Sequence, residues 1–286
     1  MIFYKEDILK KILILVGLAI SSLFSDVLQD ADKLYSNKSF KEAVKVYEKA
    51  CDANLSKGCY RLAFMYENKQ KVKQDFKKAF DLYEKSCKLG SAKGCYKIAA
   101  CYDVGGILKV NKDFKKAENY YKKSCDGGFG LACYNLGSLY QYSLDVDKNE
   151  NNMEKSYKEA CQEGAVLGCY KLAHFYESKT DIQKAKKWFK IGCDKEDTQA
   201  CFRLVDIYIK ELSNLEPKSF KKEFKSYKKR CDSADTMGCY KLAAMYSTGR
   251  GVKQSYKNAK DVFIESCNMG DNASCIEGLM MIESGF

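Results

Sequence analysis

The sequence predicts an all-α solenoid of antiparallel helix pairs, and three observations predict it. Seven cysteine pairs of the form C-x7-C recur along the chain: Cys51 and Cys59, Cys87 and Cys95, Cys125 and Cys133, Cys161 and Cys169, Cys193 and Cys201, Cys231 and Cys239, and Cys267 and Cys275. Successive first cysteines lie 36, 38, 36, 32, 38 and 36 residues apart, and a fixed period of this length marks a stacked array of one small supersecondary unit. Apolar residues fall at helical spacing on both sides of each pair. A single proline in 286 residues leaves long helices almost without breakers.

The first 25 residues read as an export signal. Lys10 and Lys11 supply positive charge, Ile12 to Ile20 form a short apolar run, and Ser21, Ser22 and Ser25 offer small residues for cleavage. The run is too short for a comfortable transmembrane helix, and no cysteine stands where a lipoprotein anchor would need one. The mature chain is therefore expected in the periplasm or outside the cell, where disulfides persist. Residues 26–37 follow as a capping helix carrying Val27, Leu28, Ala31 and Leu34. Seven repeats then occupy 38–286.

Within a repeat, helix A ends at the first cysteine. Four residues before it stands an aromatic in every unit: Tyr47, Tyr83, Tyr121, Tyr157, Phe189, Tyr227 and Phe263. Eight before it stands Ala in five (Ala43, Ala79, Ala117, Ala185 and Ala259), and eleven before it a large apolar residue in six (Phe40, Phe76, Phe114, Ile182, Phe220 and Tyr256). Steps of four, four and three trace one helix face. Helix B opens at the second cysteine with a small residue before it and an aromatic after it in six repeats, continues through pairs such as Leu62-Ala63, and closes on a Tyr. The last repeat substitutes Ile276, Gly278, Leu279 and Ile282, as a terminal repeat must to cover an open core.

The A–B turn brings the two cysteines of a unit close, and pairing within each C-x7-C is the simplest solution. A bridge closing so short a loop contributes ~2.6 kcal/mol by restricting the unfolded chain. No C-x-x-C redox motif occurs, and clustered cysteines in an oxidising compartment are poor zinc ligands. The sequence thus calls for no cofactor and no metal.

The stretch Tyr246-Ser-Thr-Gly249-Arg-Gly251-Val252, followed by Tyr256, Ala259, Phe263, Cys267, Gly270 and Cys275, resembles the Sel1-like repeat, a relative of the tetratricopeptide repeat. With paired cysteines in every unit and an export signal, the chain is similar to the Helicobacter cysteine-rich protein (Hcp) family. That resemblance implies an α/α solenoid of Sel1-like helix pairs with one disulfide per repeat. It also implies penicillin binding, weak β-lactamase activity and secretion.

The residues offer that activity little. A serine β-lactamase needs S-x-x-K with SDN-like and KTG-like elements. Ser219-Phe-Lys-Lys222 and Ser226-Tyr-Lys-Lys229 meet the first by lying in a lysine-rich stretch, there is no SDN, and Lys179-Thr180-Asp181 half matches the third. One histidine, His174, excludes a His-rich zinc site, and its equivalents (Phe64, Ala100, Ser138, Asp206, Ala244 and Met280) share no chemistry. Cys101, the fifteenth cysteine, has apolar equivalents and reads as a buried free thiol. Asp52-Ala-Asn54-Leu-Ser56 fits an acidic N-glycosylation acceptor in an A–B turn.

The net charge of +11 is carried largely by lysines on helix faces, such as Lys77, Lys78, Lys115 and Lys116. It favours an acidic protein or envelope surface as partner, and export disfavours nucleic acid. The expected function is a secreted or periplasmic scaffold binding a protein or peptide, with a β-lactam or peptidoglycan-related ligand as the alternative.

Overall fold

The computed structural model describes residues 27–70, 72–143, 149–213 and 220–285. The export signal and Ser219 lie outside them. A first helix, α1 (27–36), precedes seven helix pairs. Helices A are α2 (Phe40–Asp52), α4 (Phe76–Lys88), α6 (Phe114–Asp126), α8 (Glu150–Gln162), α10 (Ile182–Asp194), α12 (Phe220–Asp232) and α14 (Tyr256–Asn268). Helices B are α3 (Ser56–Glu67), α5 (Ala92–Val104), α7 (Gly130–Tyr142), α9 (Val166–Ser178), α11 (Thr198–Ser213), α13 (Thr236–Thr248) and α15 (Asn272–Glu283). Among the described residues no strand occurs, and no helix is long and apolar enough to cross a membrane.

The constant cysteine spacing has a backbone cause. Three residues separate A from B in every pair, and the middle one is left-handed: Asn54, Gly90, Gly128, Gly164, Glu196, Ala234 and Gly270. The third residue donates its N–H to the carbonyl preceding the first cysteine, as Leu55 does to Ala50 and Ser91 to Ser86. This is the Schellman closure of a helix C-terminus. That same third residue is the N-cap of helix B, and in α5, α13 and α15 its side chain accepts from the backbone three residues on (Ser91, Asp235 and Asp271). End of A and start of B are therefore one fixed motif, with the cysteines facing each other across it.

Every bridge joins the two cysteines of one C-x7-C pair. In the first unit of the chain Cys51 bonds Cys59, Cys87 bonds Cys95 and Cys125 bonds Cys133. Further on, Cys161 bonds Cys169, Cys193 bonds Cys201, Cys231 bonds Cys239 and Cys267 bonds Cys275. Their Cα separations of 4.3 to 4.8 Å lie at the short end of what a disulfide spans. The small residue before the second cysteine lets the helices cross this closely: a Cβ on Gly58 would stand 2.6 Å from that of Ala50.

The chain divides into two compact units, one up to Glu159 and one from Ala160. In the first, α1 buries Ala31 with Ala43, Tyr47 and Leu62, and the next layer packs Tyr83, Ile98 and Cys101. Ring pairs repeat between helix pairs: Tyr60 meets Tyr83, Tyr96 meets Tyr121, and Tyr134 meets Tyr157, with centroids 5.5 to 5.9 Å apart. Ser86 and Ser124, buried beside the cysteines, donate to the carbonyls of Ser56 and Ala92 in the preceding helix B. In the second unit, Phe189, Leu204, Tyr208, Tyr240 and Phe263 share one core. There the last turn reaches back to the fifth pair: Asn272 Nδ2 donates to the Cys193 carbonyl at 2.8 Å, and Lys190 lies 3.6 Å from Asp271.

The expected helix faces are buried at the aromatic and Ala positions. The residues eleven before the cysteine depart from that reading. They are the first residue of each helix A, half-buried at best, and Ile182 and Tyr256 are exposed.

Candidate functional site

A polar arrangement recurs beside the aromatic core and was not visible in the repeat pattern. The buried tyrosine of helix A donates its hydroxyl to an acid in the C-terminal half of the preceding helix. Tyr47 donates to Asp32 at 2.6 Å, Tyr83 to Glu67, and Tyr121 to Asp103 at 3.0 Å. Tyr157 donates to the neutral Gln141 at 2.7 Å. The next helix B then supplies a cation two residues after its cysteine. Arg61 pairs with Asp32 at 3.2 Å, assisted by Lys57, and Lys97 Nζ lies 3.0 Å from Glu67 Oε2. For Asp32, burial works against the carboxylate, but Lys57, Tyr47 and Arg61 outweigh it and hold its pKa below the usual value.

The second unit keeps the acid and cation while changing the ring. Arg203 bonds Glu177 at 2.6 Å, and His174 Nδ1 meets the same carboxylate at 3.0 Å. His174 stands three residues before Glu177, as Phe64 stands before Glu67, and packs edge-on to Tyr170 and Phe189. Burial depresses its pKa, with Glu177 opposing that shift and Arg203 adding to it. His174 is thus an aromatic member of this arrangement. The i, i+3 spacing to Glu177 was the one sequence signal for its partner. Further on, Glu211 is shared by Lys186 at 2.7 Å and Lys241 at 3.0 Å.

In two helices B the residue two after the cysteine is not a cation. In α7 the cation is replaced by Asn135, which donates to the Tyr121 hydroxyl at 3.1 Å, and no lysine or arginine among the described residues pairs with Asp103. The aromatic one turn before the acid is also missing, because Ala100 stands where Phe64 does. An open cleft of about 240 Å³ lies at this level, lined by Asp103, Phe114, Asn135, Ser138, Leu139, Tyr142 and Ser143. In α15 the cation is replaced by Glu277, whose pKa is raised by burial, in a smaller cavity with Tyr240, Ser247, Thr248 and Phe263.

The other sequence-selected residues carry structure. Cys101 is buried and outside the bridges, and its thiol is pushed up to about 12, by burial first and by Glu67 second. Asn54 is exposed and fills the left-handed turn position. Ser226 is exposed on the lysine-rich α12, whereas Asp181 of the half-matching Lys-Thr-Asp caps α10 through Lys184 N. Among the described residues, no general base is hydrogen-bonded to Ser226. Cys125, Cys133 and Glu159 place their ligand atoms within 4.8 Å of one another, but the two sulfurs are bonded to each other and offer no thiolate.

Paired helices in a fixed period, crosslinked at each A–B turn, define a helix-pair repeat protein. The Sel1 repeat family matches residues 56–91, 92–129, 130–158, 166–197 and 236–271, more than half of the chain, and the chain belongs to that family. The matched units begin at helix B and run into the following helix A, so in this frame the Cys87–Cys95 and Cys125–Cys133 bridges each join one matched unit to the next. A Sel1 repeat protein from Oxalobacter formigenes is 22% identical over 84% of this chain and 98% of that one, with a TM-score of 0.56. The antigen c5321 of uropathogenic Escherichia coli is 21% identical over 85% of this chain and 52% of that one, with a TM-score of 0.52. Helicobacter pylori cysteine rich protein B is 34% identical over 46% of this chain and 92% of that one, with a TM-score of 0.37. No curated protein sequence matches the chain.

Proposed function

We propose that the chain is exported through residues 1–25, capped by 26–37, and works outside the cytoplasm as a disulfide-braced scaffold for a protein or peptide partner. The observation that carries this reading is the Asp103 cleft. It is an open, partly aromatic recess on a framework whose every helix pair is crosslinked. A rigid framework loses little entropy when it binds, so modest contacts suffice. Seven bridges are sustained only where glutathione and thioredoxin do not reduce them. The +11 charge draws an acidic partner towards the surface, with an attraction that salt weakens. Among the described residues, a hydrolytic role in β-lactam turnover has no assembled nucleophile and base to support it.

The test is site-specific photo-cross-linking in cells that make the protein, with p-benzoylphenylalanine at Tyr142 on the cleft rim and at Lys115 on an exposed face of α6. The reading expects one discrete adduct from Tyr142, none from Lys115, and recovery from the extracytoplasmic fraction with all seven bridges intact. Equal adducts from both positions, or β-lactam turnover that follows the protein through gel filtration, would overturn it.

A further inference from the structure

We infer that the Asp103 cleft binds a lysine side chain of the partner, which takes the place of the cation that this repeat lacks. The inference rests on the scaffold reading and specifies what its cleft recognises.

The molecule contains its own template for such a ligand. One repeat earlier, the Lys97 ammonium sits 3.0 Å from Glu67 Oε2, 5.5 Å from the centroid of Tyr83 and 5.9 Å from that of Phe64. An acid, a tyrosine bonded to that acid and an aromatic face thus hold one cation. At the Asp103 level the acid and the bonded tyrosine, Tyr121, are both present. What has changed is the contributing side chain: Asn135 bonds the Tyr121 hydroxyl rather than the acid and carries no charge. The loss of the Phe64 equivalent at Ala100 removes bulk from the same level. Two small replacements therefore fall at the level where a carboxylate is kept, and an open recess lined by Asp103 and Asn135 lies there.

The recess suits an alkylammonium better than a neutral group. Phe114 and Tyr142 give it aromatic surface, and the Phe114 ring already holds the Lys112 ammonium 4.3 Å from its centroid. Leu139 offers apolar contact for a methylene stem, while Asn135, Ser138 and Ser143 present polar groups around it. A carboxylate that keeps a hydroxyl donor, with no lysine or arginine partner among the described residues, gains from an incoming cation through a charge-assisted hydrogen bond. The overall positive charge does not oppose this, since screening confines the interaction to the few ångströms around Asp103.

The test titrates the disulfide-intact chain with Nα-acetyl-lysine methylamide and follows the Asn135 side-chain amide and the Ser138 and Ser143 amides by NMR. Nα-acetyl-norleucine methylamide is the neutral match, and n-butylamine the free-amine control. The lysine probe is expected to give saturable shifts at these three residues and the norleucine probe none. Asp103→Asn should weaken binding about tenfold, as loss of one charge-assisted contact requires. Asn135→Lys should abolish it by placing an internal ammonium in the slot, with the amide spectrum of the remaining repeats unchanged. Equal shifts from norleucine, or undiminished binding in Asn135→Lys, would overturn the inference, and equal affinity for n-butylamine would replace the partner side chain by a free amine. A Tyr142 adduct that survives Asp103→Asn, with no response to the lysine probe, would remove this inference and leave the scaffold standing.

Discussion

The Lys97 ammonium reaches back from α5 to within 3.0 Å of Glu67 at the end of α3, and Tyr83 from the intervening α4 donates to the same carboxylate. One polar contact thus ties three successive helices together. Lys97 and Glu67 are both largely shielded from solvent, so the pair escapes most of the screening that makes surface ion pairs weak. A double-mutant cycle of Lys97→Met and Glu67→Gln, measured by urea unfolding with the disulfides intact, should give a coupling energy of about 1 kcal/mol. A coupling indistinguishable from zero would mean that the contact only fills space.

The left-handed turn position offers a cleaner test of backbone strain. Gly occupies it in four pairs, but Ala234 adopts φ 58° and Glu196 φ 68°. An L-residue with a Cβ loses roughly 1–2 kcal/mol in this conformation. Ala234 has no polar side chain to offset the cost with a local hydrogen bond. Ala234→Gly should therefore stabilise the second unit by about 1 kcal/mol, less the extra freedom glycine gains in the unfolded chain. A rise in the melting temperature checks it, and a fall would show that the turn is not strained.

Much of this architecture was legible because it repeats locally. The cysteines, the aromatic four residues before them and the alanine eight before them lie within one helix, where a period of 3.6 fixes which residues share a face. The row eleven residues before the cysteine begins helix A and is more exposed than the other two rows, because periodicity gives a face but not where the helix starts. Asp75, Asp113 and Asp181, whose carboxylates accept from the third residue of their helices, were the cap signals for that boundary. The contact from acid to tyrosine to cation was not legible, since it joins three helices across loops of different length. Its acid also shifts register: Glu67 directly follows the tyrosine that closes helix B, whereas Glu211 lies three residues beyond Tyr208. Asn135 stood in the aligned repeats as an ordinary substitution, and only the geometry shows that it lines an open cleft beside Asp103.

Cys101 should behave as an inert thiol. Its side chain packs with Tyr83, Ile98 and Leu108, and burial together with the neighbouring Glu67 carboxylate raises its pKa to about 12. At pH 8 the reactive thiolate is then a negligible fraction, in addition to being shielded from reagents. N-ethylmaleimide should leave the mass of the native protein unchanged over an hour and add a single label once urea unfolds it. Prompt labelling of the native chain would point instead to a thiol available for redox chemistry.

Glu277 links the second broken repeat to pH. Its carboxyl occupies the slot that holds Arg203 and Lys241 in the two preceding pairs, and burial alone raises its pKa above the ordinary value. The folded state thus holds this proton more tightly than the unfolded one does. A raised carboxyl pKa favours folding fully below the unfolded value of 4.5, and that contribution is lost as the pH rises through the folded value. At pH 7 the ionised carboxylate is half-buried, without a lysine or arginine among the described residues bonded to it. Glu277→Gln keeps the shape and removes the charge, so it should stabilise the second unit at pH 7 by on the order of 1 kcal/mol. Near pH 4 the variant and the parent should converge, because both then carry a neutral group. Carboxylates common to the two chains cancel in the difference, which makes the gap between their melting temperatures the quantity to follow from pH 4 to pH 8. A gap that stays constant across that range would show that Glu277 is solvated well enough for its ionisation not to matter to folding.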